Sequence, residues 1–125
     1  MLWGSGNGVY ATGGIYCNPY YDYIYASDFI IPSDERLKTD WESLPVDFIE
    51  RLAEVKVGTY TRVDTGARQL GVTAQSLRNA APNAVHEGAD GYLTASYANA
   101  ALAACVELSR KVIELQERIK VLEAG

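Results

Sequence analysis

The sequence predicts an α+β chain: a small helix-plus-hairpin unit, then a long C-terminal helix that self-associates, with a short β-rich segment in front. Three observations predict it. An apolar heptad seam runs almost to the C-terminus. Upstream of it, alternating segments flank the turn signal Asp64-Thr65-Gly66. Residues 1–32 are rich in Gly, Tyr and short polar side chains and carry almost no charge.

That opening zone reads as short strands joined by turns. Gly and Asn punctuate it, and Tyr21, Tyr23 and Tyr25 alternate with Asp22 and Ile24. It is too short and too Gly-rich to hold a core of its own. It is either an ordinary hairpin region or the last part of a longer intertwined β-stalk, since unpaired strand edges need partners. The Tyr stripe favours stalk packing over sugar binding. The abrupt Gly-rich start points to a boundary inside a longer protein.

Ser33 to Trp41 is polar. Pro45 then opens a helix in which Val46, Ile49 and Leu52 share one face. Val57 to Arg62 alternates as a strand, and Arg68 to Ala74 returns from the turn, giving a hairpin. Gln75 to Ala80 forms a short helix that stops before Pro82. Ala84 to His86 and Tyr92 to Ala95 flank Asp90-Gly91 as a second small hairpin.

Residues 97–123 form one long helix. Ala101, Cys105, Leu108, Val112, Leu115, Ile119 and Leu122 recur at alternating spacings of four and three. This seam spans roughly 33 Å at 1.5 Å per residue. Arg118 and Glu123 occupy g and e′ positions and can pair between parallel chains. Val112 and Ile119 at a, with Leu115 and Leu122 at d, favour two strands by the residue rule alone.

Composition excludes several function classes. With 48% hydrophobic and 22% charged residues, the chain is not generally disordered. A net charge of −5 and scattered basic residues do not make a nucleic-acid interface. No apolar run is long enough to span a membrane, and no signal peptide is visible. Cys17 and Cys105 are isolated thiols and His86 is the only His, so no metal site and no cofactor is expected. Cys105 lies on the apolar stripe and reads as small core filler. His86 reads as a satisfied, partly exposed side chain, with a proton-carrier role as the alternative.

The chemistry, if present, lies in Ser33-Asp34-Glu35-Arg36-Leu37-Lys38. It places a hydroxyl and an amine five residues apart. A serine hydroxyl needs a base, and a lysine serves when burial favours its neutral form. Spacing alone leaves a simpler reading open: Ser33 as N-cap of the following turn, with Arg36 and Lys38 solvated.

The string Ser33 to Asp40 is similar to the start of the peptidase S74 family, chaperone domains at the ends of phage endosialidases, tail spikes and tail fibres. Further motifs follow in order. Lys56 to Tyr60 is a strand ending at a Tyr, and Gly71-Val72-Thr73-Ala74-Gln75 carries the Gly-x-x-Ala-Gln pattern. Pro82 to Val85, Tyr97 and the terminal helix complete the series. The resemblance covers residues 33–125. It implies an intramolecular chaperone auto-processing domain that drives homotrimer assembly through a coiled coil over 97–123. Residues 1–32 would then be the end of the fibre stalk.

The resemblance also implies a cut between Pro32 and Ser33, with Ser33 as nucleophile and Lys38 as its proton acceptor. Asp34, Arg36 and Gln75 are supporting residues. Asp34 holds the bend at the scissile bond. Arg36 pairs with a carboxylate such as Glu42. Gln75 either orients the site or bonds backbone. Pro32 restricts the tilt of the scissile carbonyl and is expected to slow the cut. The implied partners are two further copies and the upstream stalk, not nucleic acid or membrane. The mature fibre belongs in a virion tail, and the chaperone part acts and is released in the host bacterial cytoplasm. The alternative is a trimerisation cap that never cuts.

Overall fold

A computed structural model of the chain describes residues 24–125. In chain order the elements are a 3-10 turn (Glu35–Leu37), α1 (Phe48–Ala53), β1 (Val57–Thr61), β2 (Arg68–Val72), α2 (Ala74–Ala80), a 3-10 turn (Pro82–Ala84), β3 (Val85–Glu87), β4 (Leu93–Ala95) and α3 (Tyr97–Ala124). The two antiparallel pairs, β1–β2 and β3–β4, are separate hairpins. This is the expected α+β order of two small hairpins and a long terminal helix.

The first helix is shorter than its pattern suggested. Pro45 does not begin it; its carbonyl accepts from the Phe48 amide (3.0 Å) in a lead-in turn. Val46 is fully exposed, and the buried anchor is Phe48, at 2% exposure. Ile49 and Leu52 pack beside Phe48 as expected, against Ala80 of α2 and Ala104 of α3. The apolar face therefore starts two residues later than Val46, because the turn at 46–47 rotates Val46 away.

The β1–β2 register pairs Val57 with Val72 and Thr61 with Arg68. Gly66 closes the turn at φ 74°, where a side chain would be strained. Its amide donates to the Arg62 carbonyl (2.8 Å), and Arg62 forms an ion pair with Asp64. The return strand stops at Val72 rather than continuing to Ala74. Thr73 instead caps α2, its hydroxyl accepting from the Ser76 amide (3.3 Å). The cap wins because it satisfies a helix amide that the strand could not. Ser76 Oγ in turn accepts from the Lys56 amide (3.0 Å), joining α2 to the start of β1. In the second hairpin Gly91 takes φ 83°, and Asp90 accepts from the Tyr92 amide (3.0 Å).

The core is thin. One cluster holds Phe48, Ala80 and Ala104; the other holds Leu77, Ala84 and Ala100. Val55 and Ala81 touch both. Four of these six buried side chains are alanines, so the core buries little apolar area. The α3 face used in this core is the Ala100–Ala104 stripe, and the heptad seam is not part of it. Cys105 is exposed, which corrects its reading as core filler of the single chain. Leu108, Val112, Leu115 and Ile119 are 42–52% exposed. At about 1.5 Å per residue the 28-residue helix is about 42 Å long, and every residue of it after Lys111 is exposed.

Residues 24–32 form no strand and are exposed, Phe29, Ile30 and Ile31 among them. The β-rich reading of residues 1–23, with Tyr21, Tyr23 and Cys17, lies outside the described residues. No helix among the described residues is long and apolar enough to cross a membrane.

Candidate active site

Fully extended, Ser33 and Lys38 would lie up to about 17 Å apart at 3.3–3.6 Å per residue. The 3-10 turn between them shortens that path, since its rise is only about 2 Å per residue. Asp34 starts the turn as its N-cap: its Oδ1 accepts from the Arg36 amide (2.8 Å). The Asp34 carbonyl accepts from Leu37 (3.1 Å) and that of Glu35 from Lys38 (3.0 Å). The Lys38 amine thereby reaches back to Ser33, with Nζ donating to Oγ at 2.5 Å.

Asp34, not Ser33, caps the turn, so the N-cap assignment of Ser33 is corrected. Ser33 Oγ is left to accept from Lys38. Arg36 is also corrected: it pairs with Asp34, not Glu42. Its guanidinium forks onto the carboxylate, Nε to Oδ1 at 3.0 Å and Nη2 to Oδ2 at 2.9 Å. A fork two residues away is nearer and better oriented than any side chain beyond the bend. The Arg36 side chain, then its amide, holds the Asp34 carboxyl below its ordinary value, and Asp34 raises Arg36 in return. Both groups are solvent-exposed, so the pair fixes shape more than it adds stability.

Beyond Lys38 the chain bends at Asp40, whose φ is 56°. Asp tolerates this left-handed region better than most residues. Trp41 follows, with its ring centroid 5.9 Å from Lys38 Nζ. Lys38 thus stands between the Ser33 hydroxyl and an indole face. An open hollow of about 450 Å³ lies alongside, lined by Lys38, Thr39, Asp40, Trp41, Glu42 and Asn83. Sequence reasoning missed Trp41; the available signal was an aromatic three residues after the lysine.

Not every expected residue converges here. Gln75 is exposed at the second position of α2, and its side chain makes no hydrogen bond to Ser33 or Lys38. His86 is exposed in β3, with Nε2 at 3.4 Å from Ser96 Oγ. Pro32, Ser33 and Lys38 are all exposed in the single chain. The arrangement brings a hydroxyl and an amine together immediately after the Pro32 carbonyl. It lacks cover from water on its own.

Residues 33–86 match the sequence model of the peptidase S74 family, described as chaperone of endosialidase. The match begins at the serine that accepts from Lys38, and it supports the family resemblance read from the motifs. No curated protein matches the chain.

Proposed function

With residues 33–86 matching the endosialidase chaperones, we propose that this chain is an intramolecular chaperone that assembles three copies of a phage fibre or spike and then cuts itself off between Pro32 and Ser33. The observation that carries the cleavage is the 2.5 Å approach of Lys38 Nζ to Ser33 Oγ within one chain. Ser33 Oγ attacks the Pro32 carbonyl carbon. The carbon–oxygen ester bond forms and the Pro32–Ser33 carbon–nitrogen bond breaks. The hydroxyl proton passes to Lys38 and from there to the departing Ser33 nitrogen. Water then hydrolyses the ester, leaving a Pro32 carboxylate and a free amino group on Ser33. Each chain cuts once, so no external substrate is needed. The chaperone part acts in the host bacterial cytoplasm, while the upstream part remains in the virion tail.

Assembly rests on the terminal helix. Its a and d residues are exposed, and burying one such side chain is worth about 1.5–3 kcal/mol. A seam of this kind gathers chain ends first and raises the effective concentration of the segments upstream. Three strands are taken from the resemblance read in the sequence motifs; the a and d residues alone would favour two.

A second reading has its own observation. Ser33 and Lys38 are exposed, whereas a lysine base works best where burial favours its neutral form. In a cap that never cuts, the pair would only hold the turn. Intact masses of Ser33→Ala and Lys38→Ala beside the wild type separate the two. Under the cleavage reading both variants stay whole while sedimentation finds them still assembled as trimers. Equal, uncut masses for all three leave the non-cleaving cap.

A further inference from the structure

Trp41 is absorbed neither by the core nor by the seam. It is 73% exposed, yet its ring lies 5.9 Å from the Lys38 amine. Lys38 has a long flexible stem with many rotamers, and an exposed amine has little reason to stay on one hydroxyl. Two features restrict it here. On one side Ser33 Oγ accepts from Nζ. On the other lies the face of the indole ring, which limits where the Lys38 side chain can swing in its neutral form as well as in the charged form that the ring attracts. The bend at Asp40, with φ 56°, lies between Lys38 and Trp41 and lets the ring turn back beside the amine. Asp is among the few residues that take this conformation at small cost.

We infer that Trp41 is a positioning residue for the cleavage: its ring holds the Lys38 amine beside Ser33 Oγ, and the left-handed turn at Asp40 sets the ring there. The inference rests on the cleavage reading above. Trp41 does not touch the scissile bond; it acts through Lys38. An aromatic ring of any kind should preserve the effect, and an apolar side chain of similar reach should not. Asp40→Gly keeps the backbone conformation available, whereas Asp40→Val opposes it.

The test compares first-order cleavage rates of the full chain for wild type, Trp41→Phe, Trp41→Leu, Asp40→Gly and Asp40→Val. Trp41→Phe and Asp40→Gly are expected within about twofold of wild type. Trp41→Leu and Asp40→Val are expected to be slower by about threefold or more, the factor for freeing a side chain held in one of about three staggered wells. A Trp41→Leu rate equal to wild type overturns the inference. Lys38 side-chain NMR gives a readout that does not depend on cutting. The ε-methylene protons should shift upfield from the ring current in wild type and lose that shift in Trp41→Leu. No ring-current shift overturns the positioning itself. A shift in a folded, assembled wild type that never cuts overturns the cleavage reading and, with it, the role of Trp41 in catalysis, while the contact stands.

Discussion

At the residue scale, the site is a turn rather than a pocket. Asp34 shapes it through one carboxylate that accepts from the Arg36 amide and side chain. Because Arg36 lowers the Asp34 carboxyl, the turn's contribution is present above the ordinary carboxyl value of 3.8. It fades as pH falls through the lower folded value. A carboxyl carbon NMR titration should therefore place the Asp34 midpoint below 3.8, and Arg36→Ala should return it toward that value. Lys38→Ala should slow cleavage by about 10²–10⁴-fold, the range for losing a positioned acid–base group, as read from the growth of the smaller mass with time. The Ser33–Lys38 pairing was legible because its spacing is local and its motif distinctive. The Asp34–Arg36 fork was not, since either of two carboxylates could have served Arg36 and only the turn geometry decides. Trp41 was hidden because nothing in a single aromatic residue announces a backbone bend before it.

At the element scale, the Gly71 and Tyr97 positions explain each other. The Tyr97 hydroxyl accepts from the Val72 amide (3.1 Å) and donates to the Val72 carbonyl (2.8 Å). The first residue of α3 is thus fastened to the last of β2. A Cβ on Gly71 would meet the Tyr97 hydroxyl at 2.8 Å and that of Tyr60 at 3.2 Å. Gly71→Ala is therefore expected to lower stability by about 1–3 kcal/mol, as other overpacked sites do. Tyr97→Phe should lose about 1–3 kcal/mol through its two hydrogen bonds. Thermal unfolding of the uncut Ser33→Ala background measures both without interference from cleavage. The sequence pattern carried Gly71 and Tyr97 as separate motif positions. The Val72–Tyr97 hydrogen bonds that bring them together join residues 25 apart in the chain, which no local pattern specifies. The hairpins were legible from Gly66 and Gly91, each at a turn that needs positive φ. The helix starts at Phe48 and Ala74 were misplaced because turn and cap geometry, not periodicity, fixes where a helix begins.

At the scale of the whole molecule, a small body carries a helix whose apolar seam it does not cover. Only the Ala100–Ala104 stripe of α3 is buried, and every residue of α3 after Lys111 is exposed. The heptad spacing was legible because a repeat along one helix needs no tertiary information. Which α3 face meets the body was not, since small alanines give little periodic signal. Leu115→Ala removes a seam residue worth about 2–5 kcal/mol per chain once buried. Sedimentation of that variant should shift toward monomer, with far-UV circular dichroism of the body retained. Under the proposed function, with assembly first and release second, the product would be kinetically protected, because the part removed would be the nucleus for refolding. The most direct measurement is the intact mass and N-terminal sequence of the fragments formed by freshly folded, assembled wild-type chain. Cleavage at the proposed bond yields a C-terminal fragment whose first residue is Ser33 and a partner ending at Pro32. A single uncut mass from an assembled trimer, or a fragment beginning elsewhere, would contradict it.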